Sequence, residues 1–300
     1  MTFRQFLAVV ELRTKVVSVS GIAIGTLAAI RFGAVFDLAD FLLLLASALA
    51  VDMGTTAFNS YFDFRRNVDD PARNAEPDKV LVHEGVEPGA ALLAGLFLFA
   101  LAGALGLALS LRAGLGLAVF GAFAMAVGFL YAGGPRPIAA TPFGELAAGG
   151  LLGLALPLVA FRVFARRLEP GAIALALPSF FFVAAILATN NACDAEGDAA
   201  AGRRTLAIVA GPAAGAALPF VLVFAAWAAA LACLAAKILP PASALAFAPC
   251  VAASAFPLAA MGRRGFSHAT KSRNMRSASL AFSLHSLAMA AALAIAAASA

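Results

Sequence analysis

Charge is what this 300-residue chain has least of: only 12% of its residues are charged, about half the share found in water-soluble domains. That shortage excludes a water-soluble globule, a nucleic-acid-binding protein and a disordered chain. Cysteine is also scarce, and Cys193, Cys233 and Cys250 are scattered and odd in number, so they predict no disulfide framework. Alternation of polar and apolar residues is absent as well, which disfavours a transmembrane β-barrel.

Apolar residues dominate what is present: they make up 63% of the chain, and the mean hydropathy is +0.94. A run of about 17–25 apolar residues is long enough to cross a bilayer as a helix. Nine such runs lie at residues 16–32, 38–58, 89–111, 115–130, 142–161, 172–188, 213–236, 242–261 and 278–298. The sequence therefore predicts an all-α polytopic membrane protein with about nine transmembrane helices, forming a single domain over residues 1–300.

Basic residues are distributed unevenly between the two sides of this predicted bundle. Most of the 21 lysines and arginines fall in segments on the side of the N-terminus, and cytoplasmic loops carry such an excess. The basic cluster at residues 162–167 argues the other way. We expect the N-terminus to be cytoplasmic and the C-terminus to lie outside.

Two long polar segments, at residues 59–88 and 190–211, interrupt the apolar pattern on the predicted cytoplasmic side. Since an α-helix advances about 100° per residue, steps of four and seven return to one face. In the first segment and the span before it, the residues on one such stripe are Asp52, Thr56, Asn59, Asp63, Asn67 and Asp70. The second segment repeats the pattern with Asn190, Asp194 and Asp198.

Clusters of carboxylate and amide oxygens are suited to Mg²⁺, which is commonly held by one or two carboxylates together with substrate phosphates. Basic residues stand beside both clusters and could bind the same anion: Arg65, Arg66, Arg73, Lys79, Arg203 and Arg204. Within a membrane protein, this combination predicts a substrate with a diphosphate head and a lipid tail.

At these residues the sequence resembles the UbiA superfamily of intramembrane prenyltransferases. Three stretches carry the resemblance: Asn59-Ser-Tyr-Phe-Asp63-x5-Asp69, Tyr131-Ala-Gly-Gly-Pro135-Arg-Pro137 running into Thr141-Pro-Phe-Gly144-Glu145, and Asn190-Asn191-x2-Asp194-x3-Asp198-x3-Gly202-Arg203-Arg204-Thr205-Leu206. The Arg13-Thr14-Lys15 entry to the first span also fits. The similarity covers roughly residues 11–210, and it favours the branch that prenylates 1,4-dihydroxy-2-naphthoate in menaquinone synthesis.

The resemblance implies helices around a central cavity in a prokaryotic inner (plasma) membrane. It implies that Mg²⁺ is bound by Asp63, Asp69, Asp194 and Asp198. The partners implied are a polyprenyl diphosphate, an aromatic acceptor and membrane lipid, with no nucleic acid. The residues that would bind the substrates are Lys15, Asn59, Arg73, Lys79, Tyr131, Glu145, Asn190 and Arg204. For the third acid of the first motif, helical geometry favours Asp70, whereas the family pattern favours Asp69.

Two other functions stay open from the sequence. One is a related prenyltransferase with a different acceptor, such as 4-hydroxybenzoate, homogentisate, haem or glycerol phosphate. The other is an ion-coupled transporter that uses Asp52, since an ionisable residue inside a span is costly and faces a cavity or a partner. Transport predicts acids at the bilayer midplane and an inverted repeat, whereas the acids here lie mainly at one face.

Overall fold

The chain is all-helical in the computed structural model, which describes residues 1–69 and 79–298 and contains no strand within those ranges. The α-helices in chain order are α1 (Phe3–Val9), α2 (Val16–Arg31), α3 (Leu38–Arg65), α4 (Val80–His83), α5 (Pro88–Ala113), α6 (Gly116–Ala132), α7 (Gly144–Ala148), α8 (Leu156–Ala165), α9 (Pro170–Ala200), α10 (Leu206–Ala210), α11 (Pro212–Ala235), α12 (Ala244–Arg264) and α13 (His268–Ala298).

The prediction of a polytopic membrane protein is confirmed. Among the described residues, eight helical segments are long and apolar enough to cross a membrane. The remaining predicted span corresponds to α6, an apolar helix of 17 residues. Together they account for the predicted number of about nine.

Helices α3 and α9 continue well beyond the predicted spans, which end at residues 58 and 188. Helix α3 runs to Arg65 and α9 to Ala200. Hydropathy marks only the part of a helix that contacts lipid, whereas the backbone hydrogen bonds continue until a capping turn ends them. The two polar segments therefore begin as helix rather than as loop.

Successive spans run antiparallel, so their ends collect at two faces of the bundle. One face, here called the motif end, holds the last turns of α3, α6, α9 and α12 and the first turns of α2, α5, α7, α11 and α13. Helix α3 packs along α5, α2 along α8, and α9 along both α11 and α13. This arrangement brings the two acidic segments to the same end of the molecule.

An ion-pair cluster ties the opposite face together. The carboxylate of Asp40, 2% exposed, accepts from Arg112 Nε at 2.5 Å and from Arg166 Nη2 at 2.8 Å. Asp37 caps the start of α3 by accepting from the Asp40 N–H, and that hydrogen bond holds the pKa of the Asp37 carboxyl below its ordinary value. Three connections on this face are thus joined through one buried carboxylate.

The predicted span at residues 142–161 is built from three pieces. Helix α7 passes into a π-helical stretch, Gly149–Ala155, and then into α8. A π-helical turn inside an α-helix is rare and often marks a functional position. Its first piece carries Glu145.

Close helix packing at Gly25 yields a test of this architecture. A Cβ atom built on Gly25 in α2 would lie 2.0 Å from the backbone oxygen of Pro157 in α8, so the helices would have to separate. We expect Gly25→Ala to lower the free energy of unfolding by about 1–3 kcal/mol, measured by thermal unfolding in detergent.

The matched control is Gly103→Ala, because a Cβ atom at Gly103 in α5 would meet nothing within 4 Å. Alanine is the better helix former by about 0.5–1 kcal/mol, so this variant should unfold at the same temperature as the parent or slightly above it. Equal effects of the two substitutions would contradict the packing described for α2 and α8.

Candidate active site

The first acidic motif lies where α3 ends in a Schellman turn. Asn67 adopts a left-handed conformation with φ 54°, which asparagine tolerates better than most residues. The Val68 N–H then donates to the Asp63 carbonyl at 2.9 Å, and the Asn67 N–H donates to the Phe64 carbonyl at 3.2 Å. Helix α3 therefore ends before Asp69. The turn folds the chain back, so that the Asp69 N–H also reaches the Asp63 carbonyl, at 3.4 Å.

The second motif ends in the same kind of turn. Gly202, with φ +77°, takes the left-handed position that glycine occupies without steric cost. The Arg203 N–H donates to the Asp198 carbonyl at 2.9 Å. Asp198 therefore holds the position in α9 that Asp63 holds in α3, and Arg203 is turned back towards the helix it follows.

Arg203 joins the two motifs. Its Nη2 donates to Asp63 Oδ1 at 2.6 Å and its Nη1 to Asp198 Oδ1 at 3.2 Å. Both acids are buried, with 6% and 5% exposure. Burial by itself lowers the pKa of the Arg203 guanidinium, but the carboxylates of Asp63 and Asp198 outweigh it, so the pKa is raised and the side chain stays charged. Asn59 Nδ2 donates to the second oxygen of Asp63 at 3.1 Å.

The other two predicted acids are also paired with cations. Lys79 Nζ lies 3.6 Å from Asp69 Oδ2. In the second motif, Lys271 Nζ lies 2.7 Å from Asp194 Oδ2 and His268 Nδ1 lies 3.2 Å from its Oδ1. Lys271 and His268 belong to the first turn of α13, far along the chain, where basic residues after a span resemble ordinary membrane anchors.

Lys15 lies in a buried ion pair away from these four acids. Its Nζ, on a side chain 5% exposed, donates to Asp52 Oδ1 at 2.6 Å and to Thr56 Oγ1 at 2.8 Å. Ser18 Oγ donates to the other Asp52 oxygen at 2.6 Å. Asp52 thus has its charge balanced by Lys15 inside the bundle, which is the partner that an ionisable residue within a span requires.

Glu145 and Tyr131 adjoin the same region. Asn191 Nδ2 donates to Glu145 Oε1 at 2.9 Å. Tyr131 lies in the last turn of α6, and the carbonyl of the next residue, Ala132, accepts from Arg66 Nη1 at the end of α3. The neighbouring connection lines a cleft of about 350 Å³ formed by Arg136, Ile138, Thr141, Phe143, Leu146 and Ala147.

Two residues predicted to bind the substrates, Arg204 and Asn190, lack the contacts that the adjacent residues Arg203 and Asn191 make. The Arg204 side chain is exposed and forms no hydrogen bond or ion pair with any described residue; its backbone N–H donates to the Ala140 carbonyl at 2.9 Å. Asn190 is half-buried, whereas Asn191, which the sequence did not single out, makes the contact to Glu145. Arg73 and Asp70 lie outside the described residues.

The carboxylates fit a hard divalent cation in their chemistry, since all their donors are oxygens. Asp63 and Asp198 already share one positive charge, that of Arg203. In the part of the chain that the structure describes, however, no three His, Cys, Asp or Glu side chains are grouped closely enough to hold a metal ion. Each acid is instead held by a lysine, arginine, histidine or amide of the protein.

These features define a class of membrane protein: an antiparallel helical bundle with two acidic helix ends that meet at one face. The UbiA prenyltransferase family model matches residues 18–287. A relative, the 1,4-dihydroxy-2-naphthoate octaprenyltransferase of Bacillus subtilis (strain 168), is 36% identical over 190 residues, which is 63% of this chain and 60% of that protein.

Two solved structures share the fold. The apo form of a UbiA homologue from Aeropyrum pernix K1 has a TM-score of 0.67 at 19% identity, covering 93% of this chain and 97% of that one. A UbiA homologue from Archaeoglobus fulgidus bound to GPP and Mg²⁺ has a TM-score of 0.64 at 17% identity, covering 97% and 99%. The chain belongs to the UbiA prenyltransferase family. It spans 60% of the length of the Bacillus relative.

The ion-pair bridge made by Arg203 can be tested by comparing alanine substitutions at Arg203 and at the adjacent Arg204. Arg203→Ala leaves Asp63 and Asp198 buried without their shared cation, and we expect the free energy of unfolding to fall by about 3–5 kcal/mol. Arg204→Ala removes an exposed side chain and should change it by less than about 0.5 kcal/mol. Thermal unfolding in detergent measures both. Equal effects of the two substitutions would contradict the bridge.

The buried Lys15–Asp52 pair calls for a double-mutant test. Lys15→Met and Asp52→Leu each leave one buried charge unpaired, which costs about 3–5 kcal/mol. The double variant removes both charges, so it should regain most of the lost stability in chemical unfolding. Losses that simply add in the double variant would contradict the pairing.

Proposed function

We propose that this chain transfers a polyprenyl group from a polyprenyl diphosphate to 1,4-dihydroxy-2-naphthoate, with loss of the carboxylate as CO₂, and so forms demethylmenaquinol. The observation that carries the proposal is the meeting of two acidic helix ends around one shared cation, at one face of a membrane bundle. The name of the Bacillus relative supports the choice of acceptor.

The donor diphosphate is assigned to the motif end. Mg²⁺ held by Asp63, Asp69, Asp194 and Asp198 would supply the positive charge that stabilises a departing diphosphate. The UbiA homologue from Archaeoglobus fulgidus was solved with GPP and Mg²⁺ bound, which supports a prenyl diphosphate and a divalent cation as the ligands. In this proposal Asn59 and Asn190 would orient the carboxylates, and the cations that would neutralise the phosphate oxygens are Lys15, Arg73, Lys79 and Arg204, together with Arg203.

The transfer breaks the bond between the allylic carbon and the diphosphate oxygen, and the electron pair leaves with the diphosphate. The ring carbon that bears the carboxylate then forms a bond to the allylic carbon. When the bond from the ring to the carboxylate breaks, its electron pair returns to the ring and CO₂ departs, so no net proton is required. A buried apolar surrounding keeps water from capturing the allylic cation.

The acceptor is assigned to the region of Tyr131 and Glu145, which adjoins the acids of both motifs. The apolar tail needs contact with lipid, and the cleft lined by Ile138, Phe143 and Leu146 offers such a surface on the same connection as Glu145. We place the N-terminus and the motif end on the cytoplasmic side of a cell inner (plasma) membrane and the C-terminus outside, as the excess of basic residues predicts.

Membranes containing the chain test this function directly. They are incubated with radiolabelled farnesyl or geranylgeranyl diphosphate and Mg²⁺, with either 1,4-dihydroxy-2-naphthoate or 4-hydroxybenzoate. We expect label in a prenylated naphthoquinol and its loss with EDTA. Label on 4-hydroxybenzoate instead would keep prenyl transfer and overturn the acceptor, and transfer to neither would contradict the proposal.

The same assay tests the acids. Asp63→Asn and Asp194→Asn each remove a negative charge from the motif end, so transfer should fall on the order of 100-fold. The matched control is Asp37→Asn on the opposite face, because asparagine keeps the capping oxygen of α3. Asp37→Asn should transfer at the parental rate. Normal transfer by Asp63→Asn or Asp194→Asn would exclude this mechanism.

A further inference from the structure

One oxygen of Glu145 is left without a partner in the interior of the bundle. The side chain is 4% exposed. Its Oε1 accepts from Asn191 Nδ2 at 2.9 Å, whereas its Oε2 is buried and has no hydrogen-bond partner anywhere in residues 1–69 and 79–298. A buried carboxylate oxygen without a donor is energetically costly, so its presence points to a donor that arrives with a ligand.

Glu145 is tied to α9, the helix that carries the second acidic motif, because Asn191 of that helix donates to its carboxylate. Asn191, Asp194 and Asp198 lie within about 60° of one another on α9. The helix that presents the second motif therefore also positions Glu145.

A carboxylate accepts hydrogen bonds and repels a diphosphate. In a membrane protein whose other substrate is an electron-rich aromatic ring, the donor that fits such an oxygen is a ring hydroxyl. We propose that Glu145 Oε2 accepts a hydrogen bond from a hydroxyl of the aromatic acceptor, and that Asn191 is a positioning residue that fixes the carboxylate for it. This inference rests on the proposed function and adds the recognition of the acceptor.

The hydrogen bond would both bind the aromatic acceptor and distinguish it from other phenols. It would align the ring beside the diphosphate region and increase the electron density of the ring during attack on the allylic carbon. A site that hydrogen-bonds a substrate hydroxyl discriminates strongly against an analogue that lacks it. Selection among phenolic acceptors would then depend on Glu145.

The test combines a substitution in the protein with the methylation of one hydroxyl of the acceptor. The purified chain in lipid nanodiscs is assayed as wild type, Glu145→Gln and Asn191→Ala, with the dihydroxy acceptor and with each of its two monomethyl ethers. In Glu145→Gln, the amide oxygen still accepts from Asn191, but the amide nitrogen cannot accept from a hydroxyl. Comparing ratios between proteins cancels the electronic and steric effects of the methyl group itself.

For one of the two ethers, we expect wild type to prefer the free hydroxyl by at least about tenfold in kcat/KM. That preference should collapse towards unity in Glu145→Gln and fall in Asn191→Ala, while the KM for the prenyl diphosphate changes less than about twofold. Glu196→Gln is the matched control, because Glu196 is an exposed acid of α9, and it should keep the wild-type ratio.

If Glu145→Gln is folded, as verified by its thermal midpoint, and still prefers the free hydroxyl over the methyl ether as strongly as wild type, the inference about Glu145 is overturned. The proposed function would be unaffected. The inference is also overturned if Glu145→Gln raises the KM for prenyl diphosphate and leaves the preference for the free hydroxyl unchanged, because Glu145 would then bind the prenyl diphosphate. If the wild type transfers to none of the acceptors, the proposed function itself fails, and this inference fails with it.

Discussion

The guanidinium of Arg203 holds together two helix ends whose acids, Asp63 and Asp198, belong to opposite halves of the chain. Two ionised carboxylates are costly to bury side by side without a positive charge between them, because each loses its hydration and repels the other. The geometry that allows the bridge is local: Asn67 and Gly202 end their helices with the same left-handed turn. One side chain and two turns thus set the relative positions of α3 and α9 at the motif end.

The other two motif acids, Asp69 and Asp194, are also paired with positive charges. Asp69 is paired with Lys79, and Asp194 with Lys271, so each of the four acids predicted to bind Mg²⁺ has a cation beside it. Under the proposed function, a diphosphate draws the lysines and arginines towards itself and leaves the carboxylates in need of positive charge. Donor and divalent cation are therefore expected to bind together, because either one alone leaves buried charges unpaired.

Much of the fold was predictable because it depends on local properties. Apolar runs located the spans, and the four-residue spacing of Asp194 and Asp198 placed them on one helix. The choice between Arg203 and Arg204 was not predictable, because it depends on the backbone rotation introduced by Gly202. Hydropathy also stopped short of the true helix ends at Arg65 and Ala200.

Other contacts could not be predicted because they join residues far apart in sequence. Lys15 finds Asp52 only when α3 packs beside it, and no spacing rule links the two. Asn190 and Asn191 fit a polar stripe almost equally well, and only the position of Glu145 distinguishes them. An open central cavity stays a prediction, since Arg203 draws the two motifs together where the donor is expected to bind.

The contacts of α13 have a consequence for how the protein is made. Asp194 is held by His268 and Lys271 of α13. During synthesis, the helices enter the membrane in order, and α3 and α9 are in place long before α13 leaves the ribosome. The second motif thus obtains these partners only after the start of α13 has been made, so a chain terminated before His268 carries both acidic motifs but leaves Asp194 without them.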